Sequence, residues 1–108
     1  MITIDKVYSV PNQNYIQFKV QMSDGAVFSA YNDKGHFNIK QMTKVVDNVL
    51  TDVSQFGGQW FCDIATTDVD VVQSAIWCMA NGLLKKPDGY KCFSKSAITK
   101  ANNKYLKG

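Results

Sequence analysis

The sequence predicts an α+β fold: an antiparallel β-hairpin within a three-stranded sheet, followed by helix, strand and helix. Written out, the expected order is β-β-β-α-β-α plus a terminal element, with the helices packed on one face of the sheet. Three observations carry this expectation. In "YIQFKVQM", residues 15–22, Ile16, Phe18, Val20 and Met22 alternate with Gln17, Lys19 and Gln21, the period of a strand with one buried face. "SDG" follows, a turn triplet closed by a glycine, and then "AVFSAY" returns as the partner strand. Further on, Met42, Val45, Val46, Val49, Leu50, Val53 and Phe56 recur at helical spacing.

The elements can be justified in chain order. Residues 2–10 read as a first strand, ended by Pro11 and the "NQN" turn. The hairpin spans residues near 15–22 and 26–31, with Phe18 and Val20 inside. "NDKGHFN" is a break. A helix is expected over residues 39–56, with Asn38 and Gln41 as a capping box and Gly57-Gly58 as its stop. On that helix Val46, Val49 and Val53 face the core, and Lys44, Asn48 and Asp52 face water. "QWFCDIAT" reads as a strand. Thr67 then caps a second helix that runs to about Ala80, with Asp68 and Asp70 in its first turn and Gly82 as its stop. "KKPDGY" is a turn. The tail holds one further element, with Ile98, Ala101 and Tyr105 on one helical face.

Length and composition fit one compact domain over residues 1–108, because 45% apolar residues supply a core and 19% charged residues do not suggest disorder. No apolar run approaches the roughly 18 to 20 residues of a membrane span. The N-terminus has no basic region followed by a long apolar stretch, so a cytoplasmic location is expected. Every one of the 12 basic residues is Lys and every one of the nine acidic residues is Asp. The missing Arg fork argues against sequence-specific DNA readout and phosphate clamping. Lys still supplies diffuse attraction to phosphates, and the net charge of +3 is mild. The segment "KSAITKANNKYLKG" carries four Lys; it reads as a solubilising terminal helix or as a weak anion-binding arm.

Candidate chemistry is sparse. Cys62, Cys78 and Cys92 lie 16 and 14 residues apart, with neither metal-ribbon spacing nor a disulfide framework, and read as buried structural thiols. His36, the one histidine, reads as a loop residue. A set of His36, Cys62 and Asp63 has no local signature to support thiol catalysis. "DKGHFN" and "FGGQWF" match no phosphate-binding loop, so no cofactor is expected. Asp63, Asp68 and Asp70 crowd one strand-to-helix corner. Acids in a first helical turn are already favoured by the helix dipole, so no metal is expected there. An alternative comes from element order. Three strands, a helix, a strand and a helix resembles the start of the ribonuclease H-like fold. That resemblance implies a magnesium-dependent nuclease, with carboxylates such as Asp5, Asp47 or Asp52, and Asp63 or Asp68 as metal ligands.

Surplus aromatics remain: Tyr15, Phe28, Tyr31, Phe37, Trp60, Phe61 and Trp77. The outward set on the hairpin is Tyr15, Gln17, Lys19 and Gln21, opposite Val27 and Tyr31. Such a face can stack single-stranded bases, meet a protein partner, or stay wet. The leading expectation is a non-catalytic protein that docks on another protein through Tyr15, Lys19, Tyr31, Trp60 and Phe61. Accessory or inhibitor proteins of viruses and mobile elements often have this size and charge bias. Single-stranded nucleic-acid binding is the alternative from a second class, and the metal-dependent nuclease, with Asp5, Asp47 and Asp68, from a third.

Overall fold

The structure, a computed structural model, describes residues 1–11, 16–84, 92–94, 96, 98–100 and 103. Among these, the strands are β1 (Ile4–Ser9), β2 (Gln17–Met22), β3 (Val27–Asp33), β4 (His36–Val46), β5 (Val49–Asp52), β6 (Gln59–Ala65) and β7 (Cys92–Ser94), with helix α1 (Val69–Ala80) between the last two. They form one sheet in the order β1-β2-β3-β4-β6-β7, with β5 beside the far half of β4. All pairs are antiparallel except β6–β7. The fold is therefore mixed α+β, as expected.

The hairpin lies where the alternation placed it. Phe18, Val20 and Met22 are buried, and Phe18 and Val20 pair across to Ala30 and Phe28. The turn at 23–25 closes with Gly25 at φ +96°, and the Asp24 carboxylate accepts from the Ala26 amide at 3.0 Å. Phe37 and Ile39 of β4 and Cys62 and Ile64 of β6 continue the same inner face. Against it α1 lays Val72, Ala75, Ile76 and Met79, the i, i+3, i+4, i+7 stripe of an amphipathic helix. Each large side chain buried there contributes about 1.5 to 3 kcal/mol by area. Phe18 and Phe37 meet edge to face at 5.6 Å between ring centres. Ile98, from the helical stretch 98–100, joins this core; Ala101 and Tyr105 lie outside the described residues.

The cap of α1 is Asp68, one residue later than expected. Its carboxylate accepts from the Asp70 and Val71 amides at 3.0 and 3.4 Å, while the Thr66 hydroxyl accepts from the Asp68 amide at 3.1 Å. Asp70 does lie in the first turn. The helix stops at Ala80 as expected, with Gly82 at φ +70°. Beyond it, Asn81 clasps Ile2 through two hydrogen bonds of 2.8 and 2.9 Å, tying the chain start to the helix end.

The expected helix over residues 39–56 is not present. This segment is most of β4, all of β5 and the start of a 3-10 turn, Gln55–Gly57. Asp47 and Asn48, at φ +50° and +64°, form a two-residue turn whose twist matches paired strands. The segment is rich in β-branched residues: Ile39, Thr43, Val45, Val46, Val49, Thr51 and Val53. These favour a pleated backbone over a helix. Two register shifts, at Val27/Phe28 against β4 and at Ile39/Lys40 against β6, break the period of two that would have revealed the strand. The β-β-β-α-β-α order is thus replaced by six strands before α1, and the resemblance to the ribonuclease H-like start goes with it.

Candidate functional site

One face of the sheet carries α1. The other is built from the alternate residues of each strand, and the register aligns them in rows. Tyr8 pairs with Lys19, Lys19 with Ser29, Ser29 with Lys40, and Lys40 with Trp60. A single line Tyr-Lys-Ser-Lys-Trp therefore crosses five strands. At about 4.8 Å per strand it spans roughly 19 Å. The neighbouring row is Gln17, Tyr31, Asn38 and Asp63. The Lys40 ammonium lies 5.9 Å from the Tyr31 ring centre and that of Lys6 lies 5.4 Å from Tyr8, both within cation–π range. Asp63 accepts from the Asn38 amide at 2.7 Å and from the Trp60 indole N–H at 3.4 Å. A depression of about 350 Å3 opens beside the row, lined by Gln17, Ser29, Tyr31, Asn32, Asp33, Lys40 and Gly57.

The second feature is an arm. β3 pairs with β4 only as far as Thr43, so residues 44–51 continue as a two-stranded ribbon beyond the sheet. Val45, Val46, Val49 and Leu50 are 40, 40, 62 and 55% exposed. At its base Val45 borders a groove of about 300 Å3 with Ile2, Met22, Phe28, Phe61 and Met79. Asp52 anchors the ribbon. Hydrogen bonds from the Ser54 hydroxyl and then the Ser54 amide, the latter 2.8 Å long, hold its carboxyl below the usual aspartate value.

The expected interface residues divide between faces. Lys19, Tyr31 and Trp60 share the open face. Phe61 does not. The register shift opposite Ile39/Lys40 sends it inward, where its ring meets Phe28 at 5.1 Å. Tyr15 lies outside the described residues. Asp5, Asp47 and Asp68 lie on β1, at the tip of the arm and at the cap of α1. Among the described residues no three metal-ligating side chains converge. His36, Cys62 and Asp63 do not assemble: His36 is exposed at the start of β4, Cys62 is buried with its sulfur 3.6 Å from that of Met79, and Asp63 faces the opposite side of the sheet. Cys62 and Cys78 are buried as expected, and burial pushes the Cys78 thiol pKa up. Sequence reasoning missed the arm, although "VVDNVL" carries its signal: β-branched runs on both sides of an Asp-Asn turn. No protein-family model matches this chain, and no curated protein or solved structure does either. Among the described residues no helix is long and apolar enough to cross a membrane.

Proposed function

We propose that this is a non-catalytic binding protein that docks on another protein through the 44–51 arm. The observation that carries the reading is the exposure of four adjacent large apolar side chains, Val45, Val46, Val49 and Leu50, on one projecting ribbon. They form two cross-strand pairs, Val45 with Leu50 and Val46 with Val49, one on each face of the ribbon, and clustered exposed apolar side chains mark an interaction site where scattered single residues do not. Two further features support it. The outer edge of β5 has no strand beside it among the described residues, so a partner strand can extend the ribbon by backbone hydrogen bonds. The groove at the arm's base adjoins this surface and mixes Asp24, Gln41 and Lys44 with Val45, Phe28 and Phe61. Occupying a partner's cleft in this way needs no chemistry, which suits an accessory or inhibitory role.

The test is a comparison of wild type with a Val46→Lys, Val49→Lys variant as baits in native lysate. Proteins retained by wild type and lost with the variant support the reading, given equal melting temperatures. Identical retention by both, or none by either, removes it.

A further inference from the structure

We infer that the open sheet face binds single-stranded nucleic acid along the Tyr8–Lys19–Ser29–Lys40–Trp60 row. The row has an aromatic residue at each end and two lysines between them, on either side of a buried Ser29. Its length of roughly 19 Å suits two or three bases, the number that a small antiparallel sheet stacks in known recognition modes. Rings supply stacking that tolerates any base, and lysines track the phosphates between them. The row itself holds no carboxylate. Asp63 in the adjoining row accepts from Asn38 and from the edge of the Trp60 indole, and Asp33 lines the depression beside Ser29 and Lys40. Tyr31 sits one row over, with Lys40 at 5.9 Å. The depression at its side offers Gln17 and Asn32 as amide donors and acceptors to a base edge.

The absence of Arg from the chain shapes the mode of binding. Without the planar fork that reads guanine or clamps phosphate, contacts are point charges and ring faces. Binding is therefore expected to be sequence-tolerant, strongly salt-dependent and weaker to duplex, whose bases are not available for stacking.

This inference is independent of the docking reading, because the arm lies outside the row. The experiment measures anisotropy of a labelled oligodeoxythymidylate between about 50 and 200 mM salt with wild type, Lys19→Gln/Lys40→Gln, Trp60→Leu, and the arm variant Val46→Lys/Val49→Lys. Wild type should bind at low salt and prefer single strand to duplex. The double lysine variant should lower the slope of log K against log salt by about 1.4, two phosphates at roughly 0.7 each. Trp60→Leu should weaken binding about tenfold, and the arm variant should bind as wild type does. If a row variant fails to fold, Tyr8→Ala at the exposed edge replaces it, with the same direction expected. No wild-type binding at low salt overturns the inference. So does binding that is indifferent to the row substitutions, or a dimer that occupies this face and excludes the oligonucleotide.

Discussion

Gly25 sits at φ +96°, and a side chain there would also meet Leu50 of the arm, whose Cδ atoms lie 3.2 and 3.3 Å from where a Cβ would stand. Gly25→Val should therefore cost more than about 1 kcal/mol, since a β-branched residue resists positive φ. A denaturant midpoint equal to wild type would contradict it. Asp68 gives a graded prediction at the same scale. Asn also caps well, so Asp68→Asn should cost less than about 1 kcal/mol, while Asp68→Ala leaves the Asp70 and Val71 amides without their acceptor and should cost about 1 kcal/mol or more. Asp52 carries a pH effect of known sign. Its carboxyl is held below the usual value by Ser54, so what it adds to the arm's order is present above the usual aspartate range. That contribution is lost as pH falls through the lowered value. The Ser54 amide resonance should report that titration, and Asp52→Asn should abolish it.

At the scale of elements, the arm reverses what a helix would demand of residues 44–51. On a helix with Val49 inward, Val49→Asp would bury a lone carboxylate and unfold the domain. On the ribbon Val49 is more than half exposed, and the same change should shift stability by no more than about 0.5 kcal/mol. Val72→Asp, in the sheet-facing stripe of α1, should prevent folding. Thermal melts of the two variants distinguish ribbon from helix without a new structure. The turn offers a converse check. Asn48 stands at φ +64°, a position where glycine is free of strain, so Asn48→Gly should be neutral or stabilising and Asn48→Val should cost about 1 to 2 kcal/mol.

Among the described residues of the whole molecule, helix lies on one side of the sheet, and two surfaces differ in chemistry: an apolar arm and a polar face with lysines and rings. They predict separable losses, with arm variants affecting protein capture and row variants affecting oligonucleotide binding. The placement of Asp5, Asp47 and Asp68 on separate elements adds a third expectation. Magnesium or a chelator should leave the melting temperature unchanged, because a divalent ion needs several oxygens at one point. A rise of several degrees with magnesium would require a site that brings carboxylates together.

The sequence by itself determined the hairpin, the strand at "QWFCDIA" and the helix that ends at Ala80, its start to within one residue. In each, one face is buried, and burial writes its period directly into the residues: Phe18, Val20 and Met22 at two, Val72, Ile76 and Met79 near 3.6. It also determined that Lys19, Gln17 and Tyr31 would share the outer side of that hairpin. Tertiary structure decided which faces are covered in residues 44–51. There the ribbon leaves the sheet, neither face is sealed, and apolar residues occupy both parities. Their spacing then imitates a helix, although Asp47-Asn48 and the surrounding β-branched residues carry the hairpin locally. The binding row was equally out of reach. Which residue stands beside which across five strands depends on register, and the shift between Ile39 and Lys40 is what sends Phe61 inward and sets Trp60 beside Lys40. Alternation fixes a side chain's face within one strand, whereas the long-range pairing of backbones fixes its neighbours.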